Sequence, residues 1–219
     1  MLLLYELLEA VAPVRVAGGV VRNGADVLLT GLFSWMLGPR GPLVFMALVI
    51  GGALWLIARD RRGGPVRAAT LAAMLGESLV LALLFGLIVG TATAQLVGPF
   101  RSLAAGVGLD GDALSRLTLS LGAGLYEELL FRVVVVALLA NGCRLLFGAS
   151  RLAAGIAGAV IGALLFSAFH YIGPLGEPLQ LESFVFRALA GLAFSGLYLT
   201  RGFGITAWTH ALYDVAVLL

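Results

Sequence analysis

The chain has 219 residues, 61% of them hydrophobic and only 12% charged, with a mean hydropathy of +1.05. Soluble domains run nearer half apolar and a quarter charged, so this composition excludes a globular protein with water on all sides. A net charge of +2 carried by scattered arginines leaves no basic stripe for a nucleic-acid partner, and a single cysteine, Cys143, excludes an intrachain disulfide.

From the N-terminus, Met1 to Pro13 is apolar but carries Glu6 and Glu9, with no basic residue ahead of its apolar run. It reads as a short interfacial helix rather than a secretory signal peptide. Val27–Leu37 is apolar but short for a crossing at about 1.5 Å of rise per residue, and is expected to tilt or to dip in and return. Longer apolar runs at Leu43–Ala58, Ala68–Val97, Leu119–Ala140, Leu152–Tyr171, Ser183–Thr200 and Phe203–Leu218 predict membrane-spanning helices. The fold class is therefore an all-α polytopic transmembrane bundle of about six to eight spans. It forms one integral membrane domain, in which residues 1–118 supply N-terminal spans and residues 119–219 hold the polar motifs. The seven prolines, at 13, 39, 42, 65, 99, 174 and 178, all fall in loops or at span ends, where they break no helical ladder. Gly86 and Gly90, and Gly158 and Gly162, have the spacing that lets helix backbones approach closely.

Loop arginines set the orientation. Arg59, Arg61, Arg62 and Arg67 mark a cytoplasmic loop, and threading from there puts Arg144, Arg151 and Arg201 on the same side. Arg101 and Arg116, diluted by Asp110 and Asp112, fall on the other side. So does the loop Ile172–Glu182, which has acidic residues and no basic one. An all-arginine complement of 14 basic residues suggests a GC-rich genome and a bacterial inner membrane.

An ionisable side chain in hydrocarbon costs at least ~2.5 kcal/mol, so each one asks for a reason. The spans hold Glu77, Glu127, Glu128, Arg132, His170, Arg187, His210 and Asp214, including both histidines of the chain. Glu128 and Arg132 are one helical turn apart and can pair. Glu127 points roughly 100° away from Glu128, free to face something else. Phe166 and His170 share a face, and so do His210 and Asp214, where the aspartate can orient the imidazole.

The ordered set Glu-Glu-x-x-x-Arg, Phe-x-x-x-His and His-x-x-x-Asp, over roughly Leu119 to Leu219, resembles the motif series of the CAAX-protease and bacteriocin-processing (CPBP) family of intramembrane endopeptidases. The resemblance implies a peptidase with no cofactor, acting on a lipid-modified or membrane-anchored protein at the bilayer. It implies Glu127 as the base that activates water and His170 as a second holder of that water. His210, with its partner Asp214, would stabilise the oxyanion, with Glu128, Arg132 and Phe166 in support. The eukaryotic members carry asparagine where this chain has Asp214; an ionised aspartate cannot donate to an oxyanion, so here it must be protonated or accept from His210.

Three other readings stand beside this one. Glu127, His170 and His210 could ligate a catalytic zinc, although no His-Glu-x-x-His pair is present. Ser167 or Ser195 could serve a serine protease, although neither has a Gly-x-Ser-x-Gly setting. Buried Glu, His and Arg also mark proton relays, so a non-catalytic transport or immunity protein is the alternative from a different class.

Overall fold

The computed structural model describes residues 1–16, 19–60, 67–98, 112–173 and 176–218. Arg61, Arg62, Arg101, Asp110, Pro65, Pro99 and Pro174 lie outside the described residues.

The elements in chain order are helix α1 (Leu2–Val11), a two-residue antiparallel ladder of β1 (Arg15–Val16) with β2 (Gly19–Val20), α2 (Gly24–Leu37), α3 (Gly41–Asp60) and α4 (Ala68–Val97). Then comes one long central helix, Ala113–Phe147. It comprises α5 (Ala113–Gly122), two π-helical stretches (Ala123–Glu127 and Leu129–Val135) and α6 (Val136–Phe147). Three helices follow: α7 (Arg151–Phe169), α8 (Leu181–Arg201) and α9 (Phe203–Leu218).

Local chemistry sets these boundaries. Asn23, Asp112 and Ser150 cap α2, α5 and α7 by accepting backbone N–H groups of Ala25, Ser115 and Ala153. Gly148, with φ +63°, ends α6 in the left-handed conformation that glycine tolerates, and the chain turns directly into α7. Between α2 and α3, a 3₁₀ turn at Gly38–Arg40 folds the chain back on itself. The Phe33 and Phe45 rings meet at 5.3 Å across that turn. A Cβ on Gly41 would lie 2.3 Å from the Phe33 carbonyl, so only glycine fits there.

Five helical stretches are long and apolar enough to cross a membrane: Gly24–Arg59, Ala68–Val97, Ala113–Phe147, Arg151–Phe169 and Leu181–Arg201. The first is the folded-back pair α2–α3, in which α2 alone, about 21 Å long, falls short of the ~30 Å hydrocarbon core. At 16 residues α9 is also shorter than a full crossing. The run expected at Leu119–Ala140 is the middle of a 35-residue helix, continued at both ends by mixed polar and apolar residues compatible with helix.

The bundle has its centre at α9, which packs on α4, α5, α8 and the first π-helical stretch. Small residues set the separations. A Cβ on Gly124 would lie 2.3 Å from the Ala207 carbonyl oxygen, and one on Gly191 would lie 2.9 Å from Ala163 Cα. Gly158 and Gly162 face Val136 and Ala140, so their spacing serves packing of α7 on α6 within the chain. Among the described residues the outward faces carry many large apolar side chains, with Leu48, Trp55, Leu83, Leu87, Leu138 and Leu152 exposed. That surface suits acyl chains and makes this an integral membrane protein.

Candidate active site

The two glutamates lie at the junction of the π-helical stretches, where a widened turn interrupts the ordinary ladder; such stretches cluster at functional sites. Glu127 and Glu128 are both buried and face different neighbours.

Glu128 is fully buried and belongs to a structural triad. Its Oε2 lies 3.1 Å from Arg132 Nε, and its Oε1 accepts the Nδ1–H of His210 at 2.8 Å. The Arg132 contact is an ion pair without aligned hydrogen bonds. The guanidinium sits over the Phe166 ring at 4.6 Å and the Phe194 ring at 5.5 Å, which compensates part of its lost hydration. Phe194 also stacks on the His210 ring at 4.5 Å. His210 Nε2 lies 3.6 Å from Asp214 Oδ2. The sequence assigns His210 one carboxylate partner; the structure places it between two.

Glu127 faces the other way. Its Oε1 accepts from the side-chain amide of Asn23 at 2.9 Å. Its Oε2 lies 3.8 Å from His170 Nε2 and accepts no hydrogen bond among the described residues. His170 follows the end of α7, and its Nδ1–H donates to the Phe166 carbonyl at 2.9 Å. That bond sets the tautomer: a neutral ring then offers the Nε2 lone pair towards Glu127.

Glu127, His170, His210 and Asp214 share the wall of one cavity of about 150 Å³, together with Phe166 and Arg187. The cavity is lined on its apolar side by Phe85, Phe186, Phe194, Val217 and Leu218. Arg187 donates to Glu177 at 2.6 Å and to the Tyr171 hydroxyl at 3.2 Å, tying α8 to the segment after α7. Glu77 is not part of this site; it pairs with Arg201 where α4 meets the end of α8. Ser167 and Ser195 donate to the backbone carbonyls of Phe184 and Gly191, and neither borders the cavity. Among the described residues, no three His, Cys, Asp or Glu side chains are arranged to hold a metal ion.

Two features escape a reading of the sequence. Asn23 comes from the N-terminal segment, where it looks like a helix cap and nothing more. The Glu128–His210 contact depends on where α9 crosses the central helix, which residue spacing does not encode.

A bundle of apolar helices enclosing a cavity of buried carboxylates and imidazoles defines an integral membrane protein built around an internal polar site. Residues 110–216, just under half of the chain, match the family model of the Rce1-like type II CAAX prenyl endopeptidases, and this part of the chain is similar to that CAAX-protease family. The match indicates a peptidase. Neither the curated proteins nor the solved structures include a significant match to the chain.

Proposed function

We propose that this protein is a glutamic-type intramembrane endopeptidase. It hydrolyses a peptide bond near the bilayer in a lipid-modified or membrane-anchored protein, with Glu127 as general base and no metal cofactor. The observation that carries this reading is the approach of Glu127 Oε2 to His170 Nε2 at the cavity wall.

Both atoms are acceptors. A water between them donates one hydrogen to each and presents its lone pair to a substrate carbonyl. As the new C–O bond forms, Glu127 takes the water's proton, and it then delivers that proton to the departing amine. Charge develops on the former carbonyl oxygen and needs a donor. His210 supplies it through Nε2–H, as an imidazolium held by Glu128 at its other nitrogen. Asp214, 3.6 Å from Nε2 and beyond hydrogen-bond distance, favours this charged ring by its proximity and leaves the Nε2–H to the oxyanion. Arg132 pairs with Glu128, which leaves Glu127 to act as the base. Phe166 holds His170 through its carbonyl and Arg132 through its ring. The all-arginine sequence favours a bacterial inner membrane.

The test is turnover of an internally quenched peptide carrying a farnesylated cysteine near its C-terminus, with enzyme in proteoliposomes. Glu127→Gln should lower kcat by about 10²- to 10⁴-fold, the usual contribution of a general base. Wild-type turnover in this variant would overturn the assignment. Comparing membrane proteomes of cells expressing wild-type or Glu127→Gln protein would identify natural substrates. A wild-type enzyme that leaves every membrane protein intact would favour the transport or immunity reading.

A further inference from the structure

The base of the proposed reaction is held by a residue outside the family-matched region. Asn23 is buried and stands at the N-cap of α2. Its side-chain oxygen accepts the Ala25 N–H at 2.9 Å, so its amide nitrogen must be the end that faces Glu127 Oε1, also at 2.9 Å. The amide orientation is thus fixed by chemistry and not by choice. The Asn23 backbone is itself pinned: its N–H donates to the Tyr5 hydroxyl, which donates to Asp26 on the first turn of α2. Burial, followed by the charge of Asp26, pushes the Tyr5 hydroxyl well above its ordinary pKa, so it remains a neutral donor. Behind this, Arg22 bridges Glu6 and Asp26, and Tyr126, the neighbour of Glu127 in sequence, donates to Glu6. Gly122 leaves room for the arrangement, since a Cβ there would lie 2.7 Å from the Tyr5 ring and 2.8 Å from Asn23 Cβ.

We infer that Asn23 is a positioning residue for Glu127. It occupies Oε1, fixes the plane of the carboxylate and leaves Oε2 as the single basic oxygen turned to His170. The inference rests on the reading of Glu127 as the base. It gives the segment before the family-matched region a direct part in the reaction, through a contact between residues 104 positions apart.

Two substitutions separate positioning from folding. Asn23→Ser keeps a good helix cap but is too short to reach Glu127. Asn23→Asp keeps the cap and replaces the donor by a second carboxylate. A hydrogen bond to a carboxylate favours its ionised form, so losing it should move the acid limb of the rate profile to higher pH. The charged and titratable groups around Glu127 are His170, His210 and Asp214 from the other helices and Glu128 and Arg132 on its own helix, and all are unchanged in these variants. We expect Asn23→Ser to lose about tenfold in kcat, with the acid limb raised by about one pH unit, and Asn23→Asp to lose and shift more. Infrared difference spectra give a readout independent of turnover. The carboxyl band that disappears in Glu127→Gln should titrate at a higher pH in Asn23→Ser. An unchanged titration, or a uniform drop in rate with no shift, would overturn the inference. Full activity in Glu127→Gln would instead sink the base assignment and the inference with it, and that variant alone distinguishes the two failures.

Discussion

Arg132 Nε lies 3.1 Å from Glu128 Oε2, with both side chains almost wholly removed from solvent and the guanidinium clasped between the rings of Phe166 and Phe194. This pair fixes more than its own charges. Glu128 also receives the His210 Nδ1–H, so Arg132, Glu128 and His210 connect the central helix to α9 through one carboxylate. Removing one member of a buried pair strands the other.

Arg132→Ala should therefore cost about 3–5 kcal/mol of stability and lower activity together, because the stranded Glu128 then competes for the His210 proton. Thermal unfolding in detergent, followed alongside turnover, checks this. A variant with the wild-type melting temperature and full activity would show that the pair has no structural importance.

Gly124 offers a test of the packing that brings α9 to the site. Its Cα faces the α9 backbone, and a methyl group would lie 2.3 Å from the Ala207 carbonyl oxygen and 2.8 Å from Ala211 Cβ. These contacts are backbone and a methyl on a buried helix, which cannot swing aside. Gly124→Ala should destabilise by about 3 kcal/mol or more and displace His210 from Glu128. Gly142→Ala, on the same helix with open space at its Cβ, should leave stability unchanged or raise it by up to about 1 kcal/mol, and serves as the control. Equal stability of the two variants would contradict the close approach of α9.

A third expectation concerns metal. A zinc ligand must come within about 2.0–2.2 Å, with three protein donors converging on one point. Here Glu127 Oε1 is taken by Asn23, His210 is held at Nδ1 by Glu128, and Asp214 stands beside its Nε2. Activity should survive prolonged treatment with a strong chelator. Stoichiometric zinc in purified enzyme, with turnover lost on chelation and restored by zinc, would replace the glutamate mechanism by a metal-dependent one.

How much of this is visible in the sequence depends on the kind of signal. The Glu127–Glu128–Arg132, His170 and His210–Asp214 motifs stand out because a charged residue in an apolar run has no packing explanation. The helix limits follow from glycine, proline and capping residues, and α4 and α9 keep the limits read from hydropathy. Asn23 is different: an asparagine before an apolar helix is fully explained by its capping role, so nothing marks its second bond. The π-helical stretches are equally silent. Leu, Val and Phe around Glu128 suit an ordinary helix, and the widened turns are set by what packs on them. The depth of Glu127 also shifts. Hydropathy puts it about eight residues inside its span, whereas the structure sets it level with His170, at the very end of α7.

That level decides which face of the membrane the site opens to. Arg144 and Arg151 flank the turn from α6 to α7. α8 runs back antiparallel to α7, with Ser167 near the end of α7 bonded to Phe184 near the start of α8. The far end of α8 therefore lies at the Arg151 end, and there Arg201 meets Glu77 on α4. Arg67, just before α4, falls at that end too, because α4 runs on from it to the Glu77 that meets Arg201. By the excess of arginine this is expected to be the cytoplasmic face. From Arg151, the 19 residues of α7 rise about 28 Å, nearly the full ~30 Å of hydrocarbon, before His170 is reached. The cavity should thus open at the opposite, non-cytoplasmic boundary, with Glu177 at its rim. In a Cys143→Ala background, single cysteines at Glu177 and Arg67 should label from opposite faces with a membrane-impermeant maleimide, Glu177→Cys in intact cells and Arg67→Cys only after the inner face is exposed. The reverse pattern would turn the site to the cytoplasm and require substrates to enter from the inner leaflet.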